Sequence, residues 1–376
     1  MLGLYIHVPF CAQKCYYCDF NSYKINFDEK KEYLINIKKE MKLYKDEFKN
    51  KVFDTIFLGG GTPSILTSEE IKQIIDSVYE NFNIYREAEI TIECNPGTIN
   101  RQKLIDFKNM GINRLSIGLQ AVQNHHLKSI GRIHTYEEFE KNYFDALEVG
   151  FKNINIDLMY ALPNQTTKEW KDTLNKIIDL NPTHISAYSL ILEEGTKLYD
   201  MYENNEFELL DEDTDIKMYE YTIDTLKKHG YNQYEISNYS RTNFECMHNI
   251  IYWKCDNYLG LGPGASGFIG NIRYSNIENI CEYNERVMQN IKPINEKNVL
   301  TEKDMIEEFI FMGLRMNEGI NLNIFKERFN CEFLDLYNDV VEKLIKRDLI
   351  KLENQNVLLT QKGREISNSV FVEFLT

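Results

Sequence analysis

Tyr5-Ile6-His7-Val8-Pro9-Phe10-Cys11-Ala12-Gln13-Lys14-Cys15-Tyr16-Tyr17-Cys18-Asp19-Phe20 runs from a strand-like apolar segment into a loop with three thiols, separated by three and then two residues. Three thiolates on one short loop suffice for three corners of a [4Fe–4S] cube and leave the fourth iron to a ligand that is not protein. Cys11, Cys15 and Cys18 are therefore the candidate cluster ligands. Zinc is the competing reading, but a structural zinc site takes four Cys or His ligands in two pairs, and the next cysteine is Cys94. Disulfides fit less well, because the other cysteines, such as Cys281 and Cys331, are scattered and the chain opens directly on a strand without a basic or apolar leader. A reducing, cytoplasmic setting is the expectation. Tyr16, Tyr17 and Phe20 would shield a cluster from water, or simply pack.

Outward from this loop, residues up to about 190 alternate short β-rich runs with longer segments of helical period. Strands are read at Leu4–Val8, Thr55–Leu58, Glu89–Glu93, Arg114–Gly118, Ile154–Leu158 and His184–Ser189, with helices near 28–48, 68–82, 100–109, 136–149, 167–179 and 213–229. Thr67-Ser68-Glu69-Glu70 and Thr166-Thr167-Lys168-Glu169 carry capping-box signatures. Six βα units are too few for an eight-unit barrel, so the expected fold is α/β, an open partial (β/α)6 barrel of the TIM type. Ligands in such folds gather beyond the C-terminal strand ends. The cysteine loop, Gly59-Gly60-Gly61-Thr62-Pro63, Glu93, Gln120 and Asp157 all fall at or near such ends.

At 376 residues the chain has room for a large and a smaller domain. Its 43 basic and 58 acidic side chains give a net charge of −15, which disfavours nucleic acid as a partner. No apolar run is long enough to span a bilayer. After about residue 300 come amphipathic helices, Glu302–Arg315, Leu322–Phe329 and Leu334–Arg347, then a hairpin-like end at Leu349–Glu353 and Val357–Leu359. This reads as a winged-helix-like domain whose many acids suit a packing or partner surface better than DNA. The expected division is 1–240 for the barrel, 241–300 for a linking region and 301–376 for the C-terminal domain.

The cysteine spacing resembles the signature of the radical S-adenosylmethionine (SAM) superfamily, and the glycine run one βα unit later resembles that superfamily's SAM-binding glycine motif. Taken with Ser116-Ile117-Gly118-Leu119-Gln120, Ile130-Gly131-Arg132-Ile133-His134 and Asn155-Ile156-Asp157-Leu158-Met159-Tyr160, the chain resembles the oxygen-independent coproporphyrinogen III oxidase family and its HemW-like haem chaperone branch. The resemblance implies that Tyr5, Gly60 and Glu93 line a cluster-bound SAM. It matches Tyr17, Gly61, Thr62, Gln120, Arg132 and Asp157 to positions that contact a second SAM in the oxidases. Read as side chains alone, the same ionic and amide groups equally suit a propionate-bearing tetrapyrrole, and a strand-end Glu93 equally suits a salt bridge.

Two features separate the branches. The oxidases resemble Cys-x3-Cys-x2-Cys-x-Cys, whereas here the last place is Phe20, and Cys246-Met247-His248-Asn249-Ile250-Ile251-Tyr252-Trp253 contains the His-Asn-x-x-Tyr-Trp element of the HemW-like branch. His248 offers an imidazole for haem iron, with Tyr252 and Trp253 as flat apolar surface; the alternative is a core histidine with two packing aromatics. Tyr258-Leu259-Gly260-Leu261-Gly262-Pro263-Gly264-Ala265-Ser266-Gly267 reads as a glycine-rich turn at a ligand or a domain junction. The resemblance thus implies a haem chaperone that uses a [4Fe–4S] cluster, SAM and haem, with haem-accepting proteins as partners. Oxidative decarboxylation of coproporphyrinogen III is the enzymatic alternative, and radical modification of RNA a third that the acidic balance opposes. A homodimer and peripheral membrane association are both compatible with this reading.

Overall fold

The computed structural model describes residues 1–375. Six parallel strands lie side by side in chain order: β1 (Leu2–Val8), β2 (Val52–Gly60), β3 (Asn83–Cys94), β4 (Arg114–Gln120), β5 (Asn153–Tyr160) and β6 (His184–Ser189). They form the expected α/β open partial barrel. β1 and β4 are buried along nearly their whole length, since helices cover one face of a parallel sheet and the barrel interior the other. The helices α1 (Phe27–Phe48), α2 (Ser68–Asn81), α3 (Arg101–Asn109), α4 (Tyr136–Val149), α5 (Thr167–Leu180) and α6 (Glu212–Lys228) alternate with them. Both capping boxes read from the sequence close, with Thr67 pairing Glu70 and Thr166 pairing Glu169.

Within the segment expected to form the barrel, β7 (Asn232–Glu235) and β8 (Asn238–Ser240) extend the β6 edge. Much of the region expected to link the domains also joins the sheet. On the other edge β9 (Asn257–Leu261) pairs parallel with β1, and β10 (Ser266–Ile269), β11 (Ile272–Asn276) and β12 (Ile294–Val299) continue antiparallel. The glycine-rich segment 258–267 is a strand as far as Leu261, turns through Gly262-Pro263-Gly264-Ala265, and enters β10 at Ser266. A Cβ on Gly260 would stand 1.9 Å from the Ser266 carbonyl oxygen, so glycine permits the tight β9–β10 crossing. Buried Glu40 of α1 fastens this extension, accepting from the Gly262 amide at 2.8 Å, the Tyr283 hydroxyl at 2.7 Å and the Asn276 amide at 2.7 Å.

A second apolar core, including Ile310, Phe325, Phe333, Leu344 and Val357, holds the C-terminal domain. Three main helices, Glu302–Arg315, Leu322–Phe329 and Phe333–Lys346, pack with a three-stranded antiparallel sheet made by Ile320–Asn321, Asn356–Leu359 and Ile350–Glu353 in that order. No described helix is long and apolar enough to cross a membrane.

Candidate functional site

β1 hands the chain to the cysteine loop through a tight backbone arrangement. Phe10 and Cys11 pair in parallel with Tyr23 and Lys24, closing the loop between them. The Gly61 amide donates to Val8 O at 2.8 Å and the Thr62 amide to Phe10 O at 2.8 Å. A Cβ on Gly61 would meet Phe10 O at 2.7 Å, so the glycine run is what allows the end of β2 to lie against the base of the cysteine loop.

Cys11, Cys15 and Cys18 share the wall of a cavity of about 460 Å³ with Tyr17, Gly60, Gly61 and Thr62. Glu93, Gln120, Arg132 and Asp157 line the same space from the ends of β3, β4, the following loop and β5. All three thiols are free. Burial raises the Cys11 and Cys18 thiols, the latter to about 11. Two side chains aim donors at sulfur: Thr62 Oγ1 donates to Cys11 Sγ and Arg132 Nη1 to Cys15 Sγ, both at 3.5 Å.

The polar wall is braced internally. Asn95 donates to Thr62 Oγ1 at 2.9 Å and accepts from Arg132 Nη2 at 2.8 Å. Arg132 also donates to the Gly118 carbonyl. Glu93 Oε2 accepts from the Gly60 amide at 3.0 Å, yet burial, with the Asp157 carboxylate adding to it, lifts the Glu93 carboxyl to about 8. Asp157 accepts from Ser116 at 3.2 Å and Asn155 at 2.7 Å, and burial raises it too. Tyr188 donates to Gln120 Oε1 at 3.0 Å. Asn95, Ser116 and Tyr188, all cavity-lining, were not singled out from the sequence. For Asn95 a signal existed, an amide immediately after a strand end and before a Pro-Gly turn.

Tyr5 stands behind this wall. Its hydroxyl pairs with His7 Nδ1 at 3.0 Å, and burial together with the Glu93 carboxylate raises it. His248 lies deeper still. It is 1 % exposed inside the barrel, with Nδ1 2.7 Å from Thr55 Oγ1 and Nε2 2.8 Å from Tyr252 Oη. Phe57 stacks on the ring at 5.0 Å, and burial first, then the Arg114 guanidinium, pushes its pKa down to about 3. Both ring nitrogens are engaged and the ring does not line the cavity, so this structure places His248 in the barrel core. Trp253 likewise turns to the C-terminal domain, with Arg315 over its ring at 4.8 Å.

The donor set fits an iron–sulfur cluster better than a single ion. A tetrahedral zinc would hold sulfurs roughly 3.8 Å apart. Among the described residues the only His/Cys/Asp/Glu trio whose ligand atoms all lie within 4.8 Å of one another contains no cysteine. The three thiols are thus spread more widely, around a cavity with buried sulfur-directed donors and carboxylates beside it.

The chain matches the radical SAM superfamily over residues 5–177 and the HemN C-terminal domain over residues 300–366. It is 37% identical to the heme chaperone HemW of Lactococcus lactis over 375 residues, covering 99% of this chain and 96% of that protein. It is 35% identical to the heme chaperone HemW of Bacillus subtilis, covering 100% and 99% respectively. Among solved structures, the coproporphyrinogen III oxidase HemN of Escherichia coli, described there as a radical SAM enzyme, superposes with a TM-score of 0.87 at 24% identity over 100% of this chain and 90% of its own. That last likeness speaks to the fold. On the full-length sequence identities, with the cysteine-lined cavity at the barrel mouth, the chain belongs to the HemW heme chaperone family of radical SAM proteins.

Proposed function

We propose that this protein binds a [4Fe–4S] cluster through Cys11, Cys15 and Cys18, binds SAM beside it, and carries haem to acceptor proteins. One observation carries the reading: three free thiols share a cavity of about 460 Å³ with Gly60, Glu93, Gln120, Arg132 and Asp157. The cluster would supply an open iron to SAM's amino and carboxylate groups. Glu93 suits ribose hydroxyls as an acceptor, and Arg132 suits a carboxylate as a charged donor. Phe20 and Ile191, 55 % and 68 % exposed at the cavity wall, give apolar area on which a flat tetrapyrrole can rest. The names of the full-length relatives support haem as cargo.

Anaerobic reconstitution with iron and sulfide, followed by EPR of the reduced protein with and without SAM, tests the first half. A SAM-dependent change in the cluster signal, lost in Cys15→Ala, is the expected result; a signal indifferent to SAM opposes an open iron. Haemin titration followed by transfer to an apo-acceptor tests the second half. Formation of protoporphyrinogen from coproporphyrinogen with SAM and reductant would instead favour the oxidase activity.

A further inference from the structure

Behind the barrel mouth, a short helix at Asn124–Ser129 places two adjacent histidines against the start of α5. His125 Nε2 lies 3.1 Å from Glu169 Oε1 and His126 Nε2 lies 3.4 Å from the same oxygen. All three ligand atoms fall within 4.8 Å of one another. The carboxylate is divided between two tasks. Glu169 Oε2 accepts from the Thr166 amide at 2.8 Å and hydroxyl at 2.7 Å, capping α5, which leaves Oε1 turned to the imidazoles.

His126 is only 2 % exposed, and its Nε2 has no aligned hydrogen-bond partner despite the nearby carboxylate. A buried ring nitrogen without a partner is costly unless something takes its lone pair. His125, with its side chain 66 % exposed, gives a path from solvent. Zinc bound to nitrogen and oxygen at about 2.0–2.1 Å in tetrahedral geometry separates its ligand atoms by roughly 3.3–3.4 Å. The two measured histidine–carboxylate separations bracket that value.

We propose that His125, His126 and Glu169 form a binding site for a divalent transition cation of the zinc type, with its remaining coordination position open to water. The site is independent of the cysteine loop. A bound ion joins the segment between Gln120 and Arg132 to the first turn of α5, so it braces from behind two residues that line the cavity.

The test is a zinc titration of the anaerobically reconstituted full chain, whose cysteine loop is occupied by cluster. It is repeated on the Cys11→Ala/Cys15→Ala/Cys18→Ala variant, with cobalt(II) as the visible probe of geometry. One equivalent of zinc is expected in both proteins, with tetrahedral or five-coordinate d–d absorption for cobalt. His125→Ala removes an exposed ligand, and Glu169→Gln keeps the helix cap while removing the charge. Each should weaken binding roughly tenfold or more, taking the loss known for outer-shell changes as a floor. Absence of the equivalent in the variant lacking the three loop cysteines, or zinc affinity unchanged in both His125→Ala and Glu169→Gln, overturns the proposal. Neither outcome bears on the cluster, which is read separately by EPR.

Discussion

Replacing His248 by alanine separates a ring that builds the barrel from a ring that binds haem. The substitution leaves Thr55 Oγ1, in a residue 1 % exposed, and the partly buried Tyr252 hydroxyl without their partners. An orphaned buried group costs about 1–3 kcal/mol, with Tyr252 at the lower end because solvent reaches it. Lost ring contacts with Phe57 and Tyr252, both at 5.0 Å, add about 0.5–1.5 kcal/mol each. The sum is about 3–7 kcal/mol, a large share of the 5–15 kcal/mol that is typical of a folded protein. Urea unfolding of the metal-free protein followed by circular dichroism should show a markedly lower midpoint, while haemin titration of whatever remains folded gives the wild-type Soret shift. The sign with pH follows from the depressed ring pKa. The folded state resists protonation to about 3 while the free ring protonates near 6.5, so this contribution is complete above about 6.5 and is lost as pH falls toward 3. A variant that loses less than about 1 kcal/mol and fails to shift the Soret band would refute the reasoning and restore His248 as a ligand.

Three further outcomes follow from the cavity wall. Glu93 holds its proton in the fold to about 8 against an ordinary 4.5, so its contribution to stability is complete below about 4.5 and is lost as pH rises through 8. SAM affinity of the cluster-loaded protein, which needs the carboxylate as acceptor, should instead climb between pH 6 and pH 9, flattening in Glu93→Gln; a flat wild-type profile by equilibrium dialysis rejects this. Gly61→Ala drives a Cβ to 2.7 Å from Phe10 O, a backbone atom, and should cost about 1–3 kcal/mol while lowering iron per chain, as metal analysis would show. Arg132→Met removes the donor to Cys15 Sγ and a positive charge, so the reduction potential of the cluster should fall in spectropotentiometry; an unchanged or raised potential would contradict the assigned contact.

The order of six barrel strands was legible because each carries a local signal: an apolar run bounded by a helix of 3.6 period, several with capping boxes closed by residues three apart. The site was legible for a related reason. In a parallel sheet the C-terminal strand ends face one way, so residues at those ends must share a mouth. Asn95 escaped notice because its part is to brace Thr62 and Arg132, a role set by partners 33 and 37 positions away in the chain.

From the sequence alone came the cysteine loop, the βα alternation, the candidate residues of the cavity wall and the helical C-terminal domain, since spacing and periodicity are properties of neighbouring residues. The tertiary structure decided what depends on distant pairing. Tyr258-Leu259-Gly260-Leu261 opens the segment read as a glycine-rich turn, and is a strand because β1 offers it a free edge and Gly260 lets the Ser266 carbonyl approach. Whether His248 faced a ligand or the core was equally a matter of what lay across from it. Thr55 and Tyr252 take both its nitrogens, and no local pattern records that pairing because Thr55 is 193 residues away.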